Sequence, residues 1–302
     1  MSMKQLFSRR KFLSLTTTGL AGTFFTGCSN DFDWEDFFQK QFQEMSPAEV
    51  SRLLQRLEKK YKDKYDTAFT VKATPARENS IFAFGIDLSK CIGCRRCVSA
   101  CTKENNISRN IQIQYIRVVR MAEGEIDFIR WDHYYNPKEV PEEGYYYMPV
   151  QCQQCENPPC VKVCPVNAMW QEPDGIVAID YNWCIGCRDC MAACPYQAIK
   201  FNWTEPKIPK DEINPKTHYL GNRPRMRGVV EKCHACVHRT REGRYPACNE
   251  ACPTGARKFG NLLDADSEIR HAMANFKTYK LKTELNTRPR FFYFFSSGET
   301  MG

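Results

Sequence analysis

Sixteen of the seventeen cysteines in this 302-residue sequence stand in four groups of four, a pattern that suits iron–sulfur chemistry. In the first and third groups, three cysteines separated by two residues let one loop hold three corners of an iron–sulfur cube, and a fourth cysteine reaches a neighbouring cube. The groups are Cys91, Cys94, Cys97 and Cys101; Cys152, Cys155, Cys160 and Cys164; Cys184, Cys187, Cys190 and Cys194; and Cys233, Cys236, Cys248 and Cys252. Because every ligand is a cysteine, we predict four [4Fe–4S] clusters, with iron bound through these sixteen residues.

Two alternatives would use the same residue type. Structural zinc takes four ligands in two close pairs, and the cysteines of exported proteins usually form disulfides. A loop with three cysteines in seven residues and a distant fourth suits neither, and no Cys-x-x-Cys-His motif for haem attachment occurs. A zinc- or disulfide-stapled binding module is the alternative that the cysteines leave open.

No arrangement of catalytic residues accompanies the cysteines. The sequence has no glycine-rich nucleotide loop and no Ser/His/Asp arrangement, so we expect no catalytic residues and no enzymatic activity of the protein on its own. His234 and His238 flank ligands of the fourth group and are expected to pack beside a cluster or tune it. Arg95, Arg96 and Arg188 also adjoin ligands, where they would raise a cluster potential, bind a partner or remain solvated.

The net charge of +8 does not indicate nucleic-acid binding. Residues 1–28 contain four basic residues and no acidic ones, which leaves +4 for residues 29–302. Each oxidised cluster with its four thiolates would add about −2, and a charge count that omits the metal sites is incomplete. The loaded protein is therefore expected to be mildly acidic.

Residues 1–28 have the layout of an export signal. The Arg9–Arg10 pair precedes a modestly apolar stretch, residues 12–26, and this order is typical of a secretory signal. The paired arginines indicate the twin-arginine route for folded proteins. Residues 25–28 resemble the end of a lipoprotein signal, so Cys28 is predicted to be lipidated and to hold the protein at the periplasmic side of the cytoplasmic membrane.

Short elements are predicted to position the cysteine loops. Residues 84–101 return as residues 177–194, and in each copy a strand-like run leads into a cysteine loop. Gly93 and Gly186 are expected to let the backbone approach a cube closely. A capping box at Ser46 and apolar residues at helical spacing predict an amphipathic helix over about 47–64.

Further along the sequence, residues 111–119 and 125–135 predict a hairpin around Gly124, because both segments are rich in β-branched and aromatic residues. The expected fold class is α+β and loop-rich. Cluster binding is expected to contribute to folding itself.

Three features carry a family resemblance: the four cysteine motifs, residues 102–105 after the first group, and residues 155–160 in the second. In these features the sequence resembles the four-cluster iron–sulfur subunits of the dimethyl sulfoxide reductase and polysulfide reductase family, NrfC-like members included. It is also similar to the iron–sulfur part of alternative complex III. The resemblance covers about residues 80–295 and leaves residues 29–78, the expected tether and amphipathic helix, without a counterpart. It implies two bacterial-ferredoxin-like double-cubane domains related by a pseudo-two-fold repeat. One comprises residues 79–151 and 229–302 around the first and fourth groups, and the other comprises residues 152–228 around the second and third.

The resemblance further implies crossed ligation in four sets of cysteines. These are set 1 (Cys91, Cys94, Cys97 and Cys252), set 2 (Cys101, Cys233, Cys236 and Cys248), set 3 (Cys152, Cys155, Cys160 and Cys194) and set 4 (Cys164, Cys184, Cys187 and Cys190). The implied function is electron transfer between a membrane quinone or quinol site and a catalytic or cytochrome partner in a respiratory oxidoreductase complex. The implied partners are an NrfD-type polytopic membrane subunit and either a molybdopterin subunit or a multihaem cytochrome.

Overall fold

A computed structural model of the protein describes residues 45–110, 113–125 and 134–296. The predicted export signal, Cys28 and residues 29–44 of the expected tether lie outside the described residues. Residues 126–133, most of the second half of the predicted hairpin, lie outside them as well. In the part of the chain that is described, no helix is long and apolar enough to cross a membrane.

The described residues alternate between short helices and short strands. The helices are α1 (Pro47–Tyr65), α2 (Arg96–Glu104), α3 (Pro159–Lys162), α4 (Asp189–Ala193), α5 (Val237–Thr240), α6 (Ala247–Glu250) and α7 (Glu268–Asn275), with 3-10 turns at Lys210–Glu212 and Thr283–Leu285. The strands are β1 (Thr70–Lys72), β2 (Phe82–Asp87), β3 (Arg117–Ala122), β4 (Tyr145–Val150), β5 (Met169–Gln171), β6 (Val177–Ile179), β7 (Lys200–Phe201), β8 (Lys216–His218), β9 (Val230–Glu231), β10 (Arg257–Asn261) and β11 (Phe291–Phe294). This mixture confirms that the protein combines helices and strands, as the α+β prediction requires.

Helix α1 begins and packs as its sequence predicts. The Ser46 hydroxyl accepts from the backbone N–H of Glu49, whose carboxylate accepts in return from the backbone N–H of Ser46. Such a capping box satisfies two donors that a helix start leaves unpaired. Leu57 and Tyr61 are buried and pack with Phe69 just before β1. The predicted helix over residues 47–64 is confirmed.

A three-stranded sheet in the order β10–β2–β11 supports the first cysteine group. Strand β10 is antiparallel to β2, and β11 is parallel to it. Every residue of β2 is buried, and the Phe84 ring lies between those of Phe259 and Phe291, at 4.9 and 5.7 Å between ring centroids. Because β2 ends four residues before Cys91, this sheet fixes the start of the first cysteine loop.

The remaining sheets are pairs of strands, namely β1–β8, β3–β4, β5–β6 and β7–β9. Strand β6 leads into the third cysteine group as β2 leads into the first, so the sequence repeat is also a repeat of local structure. Strand β3 pairs with β4, from Arg117 opposite Val150 to Ala122 opposite Tyr145. The described partner of β3 is therefore β4, and the predicted pairing with residues 125–135 stays a prediction because most of that segment lies outside the described residues.

Two hydrophobic cores enclose the cysteines. The larger core includes Phe84, Ile116 and Tyr293 and also buries Cys97, Cys101, Cys152, Cys155, Cys233 and Cys248. The smaller one includes Met169, Ile179 and Val230 and buries Cys160, Cys184 and Cys190. Each core thus places several thiols in surroundings of low polarity.

Candidate metal centres

The cysteine loops of the two repeat copies share a backbone conformation that requires glycine. Gly93 has a φ of +72° and Gly186 a φ of +76°. A Cβ on Gly93 would lie 2.4 Å from the Tyr147 ring, and one on Gly186 would lie 2.3 Å from the backbone oxygen of Gly228. Both the left-handed conformation and the lack of space therefore exclude a side chain here.

Equivalent arginines follow these glycines and begin the next helix in each copy. Arg95 and Arg188 both have positive φ and precede α2 and α4. The Arg95 guanidinium lies 4.2 Å from the Tyr135 ring centroid, and that of Arg188 lies 4.8 Å from the Trp203 ring centroid. Each arginine therefore makes a cation–π contact with an aromatic ring from outside its own cysteine loop, a contact that the sequence pattern did not predict.

Cysteines from different motifs meet around three small cavities. One cavity is lined by Cys91, Cys94, Cys97 and Cys252; another by Cys152, Cys155, Cys160 and Cys194; and a third by Cys164, Cys184, Cys187 and Cys190. These are the residues of sets 1, 3 and 4. In each cavity, three cysteines come from one motif and the fourth comes from another.

The cysteines of set 2 are gathered beside α2. Burial raises the pKa of the Cys101 thiol well above its usual range, and the neighbouring thiols of Cys236, Cys233 and Cys248 raise it further. The Asn105 side-chain amide lies 3.4 Å from Cys101 Sγ and 3.8 Å from Cys236 Sγ, with the nitrogen as donor. The cysteine spacing alone did not identify Asn105 as a hydrogen-bond donor to the sulfurs of set 2. Its position could have suggested this role, because a residue four positions after Cys101 lies on the same helix face.

Thiols of successive sets are also neighbours of one another. The pKa of the Cys97 thiol is raised to about 11 by burial and by Cys248 of set 2, despite the opposing effect of Arg257. Burial and Cys152 of set 3 raise the pKa of Cys233, in set 2, to about 12. In set 4, Cys190 has its pKa raised to about 12 by burial, by its own set and by Cys160 of set 3. The sets therefore follow one another in the order 1, 2, 3, 4.

None of these sixteen cysteines forms a disulfide bond in the described part of the chain. Across residues 45–110, 113–125 and 134–296, no three Cys, His, Asp or Glu side chains are close enough to hold one single metal ion.

The surroundings of set 1 fit a sulfur-rich anionic group. Arg257 is buried and lines this cavity; it donates to Gln151 Oε1, while its Nε and Nη1 have no hydrogen-bond partner among the described residues. Burial alone would raise the pKa of the Cys252 thiol, but hydrogen bonds from the backbone N–H groups of Arg257, Thr254 and Ala256 and from the Thr254 hydroxyl lower it below its usual value. Buried donors without acceptors are costly. A [4Fe–4S] cluster, whose sulfides and thiolates accept hydrogen bonds, suits these donors.

The two histidines of the fourth motif lie beside set 2 in different surroundings. His238 Nε2 lies 2.6 Å from Glu104 Oε1, and Arg239 Nη1 lies 3.1 Å from Glu104 Oε2. Burial lowers the pKa of His234 well below its usual value, and the nearby charge of Arg225 lowers it further. His234 is therefore a buried ring in the protein interior, which agrees with the predicted packing role.

Set 4 reaches the protein surface at one cysteine. Cys187 is the one exposed cysteine among the sixteen in the described residues. Ile185, Trp183 and Trp203 are 62%, 54% and 57% exposed. An apolar and aromatic surface thus adjoins the outermost set.

Two models of a 4Fe-4S dicluster domain match the sequence, one over residues 144–227 and 221–262 and the other over residues 90–168. The matched residues include all sixteen cysteines of the four sets. Among curated relatives, the B subunit of polysulfide reductase from Wolinella succinogenes is 34% identical over 68% of this chain and 90% of its own length. The iron–sulfur cluster-binding subunit of menaquinone reductase from Nitratidesulfovibrio vulgaris is 38% identical over 69% of this chain and 86% of its own.

A third relative matches almost the whole sequence. Hdr-like menaquinol oxidoreductase iron–sulfur subunit 1 of Archaeoglobus fulgidus is 35% identical over 97% of this chain and 100% of its own length. Residues 29–78 therefore do have a counterpart, contrary to the expectation from the family resemblance.

Proposed function

Because the chain belongs to the family of iron–sulfur subunits with 4Fe-4S dicluster domains, which includes the B subunit of polysulfide reductase, we propose that it carries electrons between a membrane quinone or quinol site and a catalytic or cytochrome partner. Membership makes it an electron-transfer subunit of a respiratory reductase complex, with four [4Fe–4S] clusters and no catalytic role of its own. Each cluster supplies a site that accepts and returns one electron. The quinone link draws on the two relatives that are named for menaquinol and menaquinone.

The proposed ligands are the four sets of cysteines, and the observation that carries this proposal is the lining of the three cavities. Each cavity brings together three cysteines of one motif and one of another, an arrangement that supports crossed ligation of paired clusters. Sets 1 and 2 would form one double-cubane domain, from residues 79–151 and 229–302, and sets 3 and 4 would form the other, from residues 152–228. Since thiols of successive sets are neighbours, electrons would pass along the four sets in order.

The surface around set 4 supports one partner contact. Its exposed side chains, Trp183, Ile185 and Trp203, surround the outermost thiol, Cys187. A partner that covers this apolar surface would exclude water and shorten the path of the electron. We assign this surface to an NrfD-type membrane subunit, and a molybdopterin subunit or a multihaem cytochrome to the opposite end of the series, at set 1.

We also propose that the protein is exported by the twin-arginine route and is lipidated on Cys28 at the periplasmic side of the cytoplasmic membrane. The support is the sequence of residues 1–28, with its paired arginines, its apolar stretch and its terminal cysteine. Mass spectrometry of the mature N-terminus tests this, and an intact protein with an unmodified Cys28 would exclude lipidation.

Anaerobic purification with iron analysis tests the ligand sets. We expect a brown protein with about sixteen irons per molecule, whereas a colourless zinc protein would establish the binding module instead. Cys187→Ser should alter one cluster signal and stop quinol-linked electron flow in the complex. The matched control is Cys28→Ser, which should keep all the iron because Cys28 belongs to none of the sets. Unchanged spectra and electron flow in Cys187→Ser would refute the assignment.

A further inference from the structure

Lys232 is a buried cation at the junction of sets 2 and 3. The residue is 1% exposed and lines the cavity of set 3 together with Cys152 and Cys160. It also directly precedes Cys233 of set 2. Its ammonium group donates to the backbone oxygens of Val177 and Cys233, the second at 3.0 Å. Lys232 therefore adjoins both sets at once.

No carboxylate neutralises this cation within the described residues. Both hydrogen-bond acceptors of its ammonium are backbone carbonyls. The adjacent carboxylate, Glu231, is engaged by Arg225, whose Nε lies 3.4 Å away, and accepts hydrogen bonds from Tyr115 and Asn202. A buried ammonium that is not paired with an anion is strongly unfavourable. The missing negative charge has to come from the sulfur ligands beside it.

Geometry points to the same neighbours. Lys232 lines the cavity of set 3 beside Cys152 and Cys160, and its ammonium group donates to the backbone oxygen of Cys233. These three residues belong to sets 3 and 2. Lys232 therefore adjoins the two sets between which an electron leaves one cluster pair and enters the other.

We propose that Lys232 is the shared counter-ion of the clusters in sets 2 and 3 and that it raises the reduction potentials of both. This inference rests on the proposed ligand sets. Reduction adds one negative charge to a cluster, and a nearby fixed cation stabilises the reduced form more than the oxidised form, because net charge and burial tune cluster potentials. One electron moves, with no bond made or broken.

Arg257 supports this interpretation because it holds the corresponding position between sets 1 and 2. It is buried and lines the cavity of set 1. It donates to Gln151, whose side-chain nitrogen lies 4.0 Å from Cys233 Sγ of set 2. A buried cation therefore stands at each of two successive junctions in the series.

The test is a redox titration of the purified holoprotein, followed by electron paramagnetic resonance of the reduced clusters. In Lys232→Met, at a fixed ambient potential, we expect the ratio of reduced to oxidised form to fall about tenfold for two of the four clusters. For a one-electron couple this is about 59 mV. Lys232→Arg, which keeps the charge, should stay near the parent. The matched control is Lys162→Met, because Lys162 lies on α3 beside Cys160 in sequence but is exposed to water.

Iron content separates failure of this proposal from failure of the ligand sets. A parent protein without about sixteen irons would refute the sets, whereas a fully loaded Lys232→Met with parental potentials would refute the role of Lys232 alone. If Lys232→Met does not load fully, Lys232→Gln replaces it, because its amide can still donate to the two carbonyls. Loss of iron in both neutral variants but not in Lys232→Arg would also support a counter-ion. If the cluster reduction potentials in Lys232→Arg are as low as those in a fully loaded neutral variant, the counter-ion role of Lys232 is wrong.

Discussion

Replacing Gly186 by alanine should remove the cluster of set 4 and leave the other clusters in place. Gly186 has a φ of +76°, and its Cβ would lie 2.3 Å from the backbone oxygen of Gly228 and 3.2 Å from the Phe201 ring. The oxygen cannot retreat easily, because the backbone N–H groups of Gly228 and Asn202 tie the two segments together, with hydrogen bonds of 2.8 and 3.0 Å. The loop from Ile185 to Cys187 would have to move instead.

The expected cost has two parts. A left-handed conformation costs a residue with a Cβ about 1–2 kcal/mol. Ordinary contact begins at 3.4 Å, so the new methyl group requires a displacement of about 1 Å, and overpacking of this kind typically costs about 1–3 kcal/mol more. Gly243 is the matched control: its φ is +80° and nothing lies within 4 Å of its Cβ position, so Gly243→Ala should incur only the first part.

Iron analysis, electron paramagnetic resonance and anaerobic thermal unfolding measure the outcome. We expect Gly186→Ala to lose about four of about sixteen irons and one set of cluster signals. Gly243→Ala should keep all of them. If the two variants have the same iron content and unfold at the same temperature, the close approach of the loop to Gly228 does not govern assembly of set 4 and the reasoning is wrong.

Three further predictions concern the frame around the sets. Ser46→Ala should weaken α1 by about 1 kcal/mol through loss of its N-cap, and hydrogen exchange in α1 should become faster while the iron content stays unchanged. Ser51→Ala, a mid-helix substitution, is the control and should have little effect on exchange. Equal exchange in the two variants would contradict the capping argument. Burial raises the pKa of Glu104, but the hydrogen bonds and charges of His238 and Arg239 outweigh burial and lower this pKa below 4.5. The Glu104 carboxylate therefore stabilises the fold above pH 4.5, and its contribution is lost as the pH falls through the lowered pKa. Glu104→Gln should accordingly show a smaller loss of stability on acidification in denaturant unfolding, and an unchanged acid dependence would exclude this contribution. Removal of iron by chelator and oxidant should increase exchange in the cysteine loops more than in α1, because metal binding and folding are coupled; equal protection before and after removal would show that the loops fold without metal.

The features that the sequence predicted are those that local patterns encode. The capping box at Ser46 uses contacts within four residues, so α1 was predictable almost to its last residue. The left-handed glycines of the two cysteine loops were predictable because the repeat places glycine at the same position in both. The pairing of β3 with β4 was not, since more than twenty residues separate the two strands and adjacent β-branched segments looked like a nearer partner.

The residues that sequence reasoning missed around the sets are polar groups brought in from a distance in the sequence. Arg257 lies near Cys91 and Cys97 because β10 pairs with β2, and no sequence motif predicts that contact. Lys232 reads as one more basic residue, and only its burial beside Cys152 shows that it differs from a solvated lysine. Cysteine spacing identifies ligands, but the charges that tune them depend on how the separate motifs pack.

The repeat shows how local sequence patterns and long-range packing combine at the start of each cysteine loop. Asp87 and Asp180 occupy equivalent positions, and each carboxylate accepts from the backbone N–H two residues further on, at 3.2 Å from Ser89 and 2.7 Å from Asn182. This turn is local, since aspartate commonly caps its own backbone in this way, and the shared residue is sufficient to predict it.

The second partner of each aspartate is not local, and it differs between the copies. Asp87 also accepts from the backbone N–H of Ser296, after β11, whereas Asp180 accepts from the Tyr219 hydroxyl at 2.6 Å and lies 3.5 Å from the Arg223 guanidinium. Arg223 in turn donates to the hydroxyl of Tyr61 on α1. The same turn is therefore anchored by the C-terminal strand in one copy and, through Arg223, by α1 in the other. This difference makes α1 part of the frame of the third cysteine group rather than only a tether.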